Sequence, residues 1–175
     1  MTRQVQPEMP MSLDPILAAS FAIQVHTACA IAAVLLGAVV LYRRKGTPRH
    51  KLMGRLWVGL MLIVATSALF INEIRLIGPF SPIHLFVVLI YAAVVQGIWH
   101  IRHGDVKRHR AAMVGVYFAS LGLAGAFTLL PGRRMHAVLF GPEGGWTPSL
   151  VAIAIVLAAV AVLWRRLSSA RLPTS

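Results

Sequence analysis

The segment RKGTPRHK at residues 44–51 is echoed by RHGDVKRHR at residues 102–110, and each follows a long apolar run. A histidine lies 18 residues before the first arginine of each segment, at His26 in the first run and at His84 in the second. The agreement of position, spacing and residue type predicts two related helical hairpins. An approximate two-fold relation between the hairpins would set equivalent histidines at equal depth, where they could hold a shared ligand.

The composition indicates the class of protein. Of the 175 residues, 58% are hydrophobic and only 13% are charged, and the mean hydropathy is +0.75. A soluble domain of this size needs far more polar surface. About 20 apolar residues cross a hydrocarbon core of ~30 Å, and each span must be helical because lipid cannot satisfy an open backbone. The sequence therefore predicts an all-α, polytopic membrane protein with five transmembrane helices, in the runs Ile16–Tyr42, Leu56–Ile74, Ile83–Ile101, Ala111–Leu130 and Leu150–Trp164.

These runs also predict how the chain is divided. The first four helices form a transmembrane core built as a pseudo-repeated pair of hairpins, and Thr47 and Asp105 are the expected N-caps of the second helix in each. The predicted segments are an outer N-terminal tail at 1–14, the four-helix core at 15–134 with repeat halves of about 15–75 and 76–134, an outer loop at 135–148, a fifth transmembrane helix at 149–166 and a cytoplasmic tail at 167–175.

The positive charge is unevenly placed along the chain. The net charge is +12, and the basic residues concentrate in the first loop, the third loop and the C-terminal end. By the positive-inside bias, the N-terminus lies outside and the C-terminus in the cytoplasm of a bacterial inner membrane. Anionic lipid headgroups at the cytoplasmic face are the expected partners of this charge, and no nucleic-acid partner is expected.

His26 and His84 are the leading candidates for binding a cofactor. Ionisable groups inside spans are costly and tend to mark functional sites. A b-type haem needs only two imidazoles that converge from neighbouring helices. Small residues at Ala22, Ala30 and Gly37 share the face of His26, so a flat ligand could approach the backbone there. The alternative is that each histidine hydrogen-bonds a carbonyl or hydroxyl group across a helix interface.

Three further residues extend this hypothesis. Glu73, at the outer end of the second span, could complete a copper, zinc or iron site with His26 and His84, or could orient a liganding histidine. An interfacial ion pair is the alternative for Glu73. His50 and His109 could hold a second haem near the cytoplasmic face, and contact with lipid headgroups is their alternative role.

The predicted function is a small b-type haem or metal-binding redox protein with a quinone or a redox protein as its partner. The sequence shows no nucleophile–base–acid arrangement and no phosphate loop, so electron transfer is the only enzymatic role it suggests. The single cysteine, Cys29, permits no intramolecular disulfide and no CxxCH motif for covalent haem. A non-catalytic membrane subunit or assembly factor is the first alternative, and a small-solute or metal carrier is the second.

Four motifs together resemble a known family. They are RKGTPRHKLMGRLW at 44–57, GPFSPIHL at 78–85, GDVKRHRAAM at 104–113 and AGAFTLLPGRRM at 124–135. The chain is similar in these motifs to the bacterial predicted-membrane-protein family called domain of unknown function 2306. That resemblance implies a multi-helix inner-membrane protein and carries no activity. Four histidines on four helices are also loosely similar to the architecture of b561-type cytochromes.

Overall fold

The computed structural model describes residues 12–71, 82–141 and 144–169, and the regular structure in those residues is helical. The predicted all-α fold is therefore confirmed. The helices are α1 Asp14–Leu17, α2 Phe21–Tyr42, α3 Pro48–Ala68, α4 Pro82–Arg102, α5 Val106–Gly115, a π-helix at Val116–Leu123, α6 Ala124–Thr128, α7 Arg134–Phe140 and α8 Trp146–Ser169.

Four helical stretches are long and apolar enough to cross a membrane: Phe21–Tyr42, Pro48–Ala68, Leu85–Arg102 and Val106–Thr128. A fifth apolar stretch, Trp146–Val162 in α8, is shorter. The exposed surface of these helices carries many large apolar side chains, which water would not favour and lipid does. The chain is therefore a multi-pass membrane protein.

The chain divides into two compact units. One unit, here called the bundle unit, spans Ser20–Ala124, and the other, the terminal unit, joins α1 to the chain from Gly125 onward. In the bundle unit, consecutive helices from α2 to α5 pack side by side, and the π-helix that continues α5 also contacts α2. Helices α2 and α4 are therefore diagonal partners, and so are α3 and α5.

Both hairpins of the bundle unit turn in the same way. Gly46 and Gly104 adopt φ angles of 81° and 77°, a left-handed conformation that glycine adopts without steric cost. The next residue then caps the following helix: Thr47 Oγ1 accepts from the His50 backbone N–H at 3.2 Å, and an Asp105 carboxylate oxygen accepts from the Arg108 N–H at 2.9 Å. The two predicted N-caps are confirmed. The symmetric relation between the hairpins stays a prediction.

Two aromatic side chains fill the centre of the bundle unit against α2. Trp57 Nε1–H donates to the Ala33 carbonyl at 3.0 Å, and the Tyr117 hydroxyl donates to the Val34 carbonyl at 3.1 Å. Their rings lie 6.4 Å apart. A Cβ atom at Gly37 would lie 2.5 Å from the Tyr117 ring and 2.6 Å from the Trp57 ring, so this approach requires glycine. We call Trp57 and Tyr117 the aromatic layer.

The fourth predicted span is not a uniform α-helix. Residues Val116–Leu123 form a π-helix, whose i→i+5 hydrogen bonds widen the turn. Three consecutive bulky residues in it, Val116, Tyr117 and Phe118, are all buried. An α-helix advances each side chain by 100°, which makes burial of three in succession difficult. Tyr117, one of the two rings of the aromatic layer, lies in this π-helix.

Several helix boundaries differ from the predicted ones. The first apolar run is broken, because α1 ends at Leu17 and Ser20, in an extended conformation, precedes α2. Helix α3 begins at Pro48, directly after the predicted cap Thr47, and ends at Ala68, before the predicted end of the apolar run at Ile74.

The segment predicted as an outer loop, 135–148, contains most of α7. Gly141, with a φ of 79°, ends that helix, and α8 begins at Trp146 and runs to Ser169, beyond the predicted 149–166. Within the terminal unit, the Arg134 side chain donates to the Pro15 carbonyl at 2.9 Å and ties α7 to α1. Glycines and prolines at 141–148 suggested a longer loop than the chain forms.

Candidate functional site

His26 is fixed by a contact across the α2–α3 interface. Its Nδ1 lies 3.0 Å from the Val64 carbonyl oxygen and 3.1 Å from Ser67 Oγ. Because a carbonyl oxygen can only accept, the neutral ring carries its proton on Nδ1 and its lone pair on Nε2. Metal-ligating histidines are oriented by this kind of bond. A histidine that only packs at a helix interface would make the same bond. This contact is therefore consistent with both roles of His26, as a cofactor ligand and as a packing residue.

The small residues that share a helix face with His26 have two different surroundings. Towards the centre of the bundle unit, Ala33 and Gly37 are buried against the aromatic layer, so side chains of this chain fill the space there. At the other end of α2, Ala22 lines an apolar groove between α2 and α3 of about 510 Å³. Its lining residues are Phe21, Ala22, Val25, Leu62, Ile63, Thr66, Ser67 and Phe70.

The groove is connected to both predicted ligand helices. Ser67, in its wall, contacts His26. Thr66, also in its wall, shares a 2.6 Å hydrogen bond with the hydroxyl of Tyr91 on α4. Tyr91 lies seven residues after His84, which belongs to the first turn of α4. The side chain of His84 and the whole of Glu73 lie outside the described residues, so their roles as ligands stay predictions.

His50 and His109 occupy the opposite end of the bundle unit, which we call the basic end because the 43–47 and 103–105 loops lie there. His109 Nδ1 donates to the Gly97 carbonyl at 2.8 Å, which leaves its lone pair on Nε2. His50 lies within electrostatic range of His109, and its Nδ1 is buried without a hydrogen-bond partner. The equivalent histidines of the two basic segments thus lie on the diagonal helices α3 and α5, within electrostatic range of each other.

A cationic side chain lies near His50. Lys45 also lies within electrostatic range of His50. Partial burial and the neighbouring Arg110 guanidinium both hold the pKa of Lys45 below its usual value. The carboxylate of Asp105 is already engaged, since it caps α5 and lies 3.4 Å from Arg108 Nε.

The two histidine levels are well separated along the bundle. His50 precedes Val64, which contacts His26, by 14 residues of α3, or about 21 Å of helix. Trp57 of the aromatic layer lies halfway between them in sequence. A ligand bound at one level could not touch the histidines of the other level.

Within residues 12–71, 82–141 and 144–169, no three His, Cys, Asp or Glu side chains come together. Zinc and similar ions usually require three or four such ligands. A haem iron, whose four equatorial ligands come from the porphyrin, requires only two.

Sequence reasoning missed the burial of His136. It was assigned to an outer loop, yet it lies in α7 with 1% of its surface exposed. Its ring lies 5.3 Å from that of Phe140, and its Nε2 is buried without a hydrogen-bond partner. The helical spacing of His136 and Phe140, four residues apart, is the signal that could have indicated this helix.

The comparisons with known proteins agree with the description of the chain as a multi-pass membrane protein. A family model described as a predicted membrane protein, DUF2306, matches residues 23–164. That range includes every candidate histidine discussed for the bundle unit. No curated protein and no solved structure matches the chain.

Proposed function

Since the chain belongs to the DUF2306 family of predicted membrane proteins, which brings no activity with it, we propose its function from the site itself: it is a b-type haem protein that transfers electrons within the membrane. His50 and His109 would hold the haem iron of the main centre. The observation that supports this proposal is that these two equivalent histidines, on diagonal helices at the basic end, lie within electrostatic range of each other.

The hydrogen bonding at the basic end supports ligation. The Gly97 carbonyl holds the proton of His109 on Nδ1, so Nε2 is the nitrogen that binds iron. A bundle interior, reached from two facing helices, is a common place for a haem. By the positive-inside bias this centre lies near the cytoplasmic face, where a redox protein could exchange electrons with it.

A second centre at the other histidine level extends the proposal. His26, oriented by Val64 and Ser67, is its first ligand, and His84 on the diagonal helix α4 is its second. The apolar groove beside Ser67 suits the ring or chain of a membrane quinone as electron partner. A site for copper, zinc or iron formed by His26, His84 and Glu73 is the alternative at this level, and both Glu73 and the side chain of His84 lie outside the described residues.

The reduced-minus-oxidised absorption spectrum of detergent-purified protein tests the proposal. We expect a sharp visible band of a b-type haem. His50→Ala and His109→Ala should each remove the same spectral component and lower the haem-to-protein ratio, because one ligand alone holds haem weakly. His26→Ala should remove a different component if both centres exist.

His103→Ala is the matched control. His103 also lies at the basic end and its Nδ1 also contacts a backbone carbonyl, that of Trp99 at 2.8 Å, but the residue is exposed. The control should leave the spectrum unchanged. Equal haem loss in all three variants at the basic end would mean that the histidines act through stability and not as ligands.

A non-catalytic membrane subunit is the second candidate function. The bond from His26 to Val64 favours it, because that bond alone accounts for a histidine at a helix interface. Purified protein without a visible absorption band, and without iron, copper or zinc by elemental analysis, would support this alternative and exclude the redox proposal.

A further inference from the structure

The groove between α2 and α3 is lined by two polar side chains, Thr66 and Ser67, among otherwise apolar residues. The Thr66 hydroxyl donates to the Leu62 carbonyl at 2.7 Å. The Ser67 hydroxyl donates to the Ile63 carbonyl, also at 2.7 Å. Because a hydroxyl group has a single hydrogen, neither side chain has one left to donate to a ligand in the groove.

Tyr91, on α4, contacts the wall of the groove through Thr66. Its hydroxyl oxygen lies 2.6 Å from Thr66 Oγ1. Since the Thr66 hydrogen is used at Leu62, both bonds can form together only if Tyr91 donates. The phenol oxygen then keeps a lone pair, and the Tyr91 side chain is 38% exposed. The edge of the groove therefore offers a ligand a hydrogen-bond acceptor but no hydroxyl hydrogen.

This hydrogen bonding distinguishes the two oxidation states of a membrane quinone. The carbonyl oxygens of a quinone only accept hydrogen bonds, whereas the hydroxyl groups of a quinol also donate them. A quinone carbonyl would meet no side-chain donor at the groove, and an acceptor that loses its water without gaining a partner costs free energy. A quinol hydroxyl can donate to the Tyr91 oxygen. The apolar walls suit the ring and chain of both forms alike.

We propose that the groove binds a membrane quinol in preference to the corresponding quinone, with a quinol hydroxyl donating to Tyr91. This inference rests on the proposed function, in which a quinone is the electron partner of the protein. It places the reduced form of that partner beside Ser67, which contacts His26 at 3.1 Å. The preference comes from the Thr66–Tyr91 hydroxyl pair, and the apolar walls contribute affinity for both forms.

Thermal unfolding of the full chain in detergent micelles tests the preference. A short-chain ubiquinol is titrated with the protein kept reduced by dithionite, and the matching ubiquinone is titrated with the protein oxidised, so no electron moves in either titration. Both should raise the unfolding temperature in a saturable way. The quinol should bind roughly fivefold more tightly, as one additional hydrogen bond provides. Equal or tighter binding of the quinone would overturn the proposal.

Two substitutions in the hydroxyl pair sharpen the test. Tyr91→Phe removes the acceptor and should weaken quinol binding to the level of the quinone. Thr66→Val frees the Tyr91 hydrogen, so the quinone should bind more tightly and the preference should disappear. Tyr42→Phe is the matched control, because Tyr42 is an exposed tyrosine at the other end of α2 and should change neither affinity. A quinol preference that persists in Tyr91→Phe would contradict the assigned contact, whether or not Thr66→Val folds.

Ala22→Leu tests the groove itself, because a larger side chain in its wall should weaken the binding of both forms. Unchanged binding in this variant, or equal stabilisation by phosphatidylcholine, would overturn the groove as a quinol site. The unfolding temperature is measured without any haem absorption. A chain that lacks a haem band and still prefers the quinol would exclude the haem centres and support this site. A chain with the haem band and no quinol preference would do the reverse.

Discussion

The two hairpins of the bundle unit begin alike and pack differently. Each turns at a left-handed glycine and starts its second helix with a side-chain cap. In the first hairpin, however, Gly37 faces the rigid rings of the aromatic layer, whereas in the second Gly97 faces the flexible end of Met113. The repeated sequence thus determines the turns, and the non-repeated residues determine how the helices fit together.

The hairpins also differ in which histidine they hold. The first fixes His26, on its first helix, by a bond to α3. The second fixes His109, on its second helix, by a bond to α4. Each bond joins two helices of one hairpin. The proposed haem ligands His50 and His109 come from different hairpins, so a haem there would add to the links that Tyr117 makes with Val34 and Thr66 makes with Tyr91.

The largest expected effect of a substitution is that of Gly37→Ala. Its Cβ would lie 2.5–2.6 Å from the Tyr117 and Trp57 rings, and neither ring can move without losing its hydrogen bond to α2. We expect a loss of about 3 kcal/mol in the free energy of unfolding, as for severe overpacking. Titration with a denaturing detergent measures it. Gly54→Ala, which adds a methyl group in open space, should not be destabilising.

The next largest effects are expected at the N-caps, which both hairpins have. Thr47→Ala and Asp105→Ala each remove one N-cap, and each should lower the free energy of unfolding by about 1 kcal/mol. Serine at either position should restore most of the loss. Because the two N-caps are alike, the two substitutions should lower the free energy of unfolding by similar amounts. No change at one of the two caps would show that the caps do not contribute equally to stability.

The smallest effect is expected for Gly97→Ala. The new methyl group meets the end of the Met113 side chain and, at 3.3 Å, the Ala112 Cβ. Methionine can rotate away, and alanine favours the helix by about 1 kcal/mol over glycine. The net loss should stay below about 1 kcal/mol in the same titration. A loss as large as that of Gly37→Ala would mean that the second hairpin is packed as rigidly as the first.

Much of the fold could be predicted from the sequence. Apolar runs separated by basic segments show where helices cross the membrane, and Thr47 and Asp105 show where two of them begin. The π-helix could not be predicted, because nothing in residues 116–123 distinguishes it from an α-helix in composition. The short helix α7 was not predicted, because the glycines and prolines that follow it indicated a loop.

The candidate site was only partly predictable. Spacing identified four histidines as two equivalent pairs, but it could not show which pair converges, because side-chain direction depends on packing between helices distant in sequence. The sequence favoured His26 with His84, which stays a prediction because the His84 side chain lies outside the described residues, whereas His50 and His109 lie within electrostatic range of each other. The residues that orient the rings of His26 and His109 are Val64 and Gly97. Both act through backbone carbonyls, which every residue type has, so their identity does not reveal this role.

The central claim is that His50 and His109 bind one haem iron between the hairpins. Potentiometric titration of His50→Met tests it most directly, because exchanging one imidazole for a thioether raises the reduction potential of a bis-histidine haem. The account predicts retained haem with a higher midpoint potential for the centre at the basic end, and no change in that centre for His26→Met. A haem that keeps its potential unchanged in His50→Met would contradict the account.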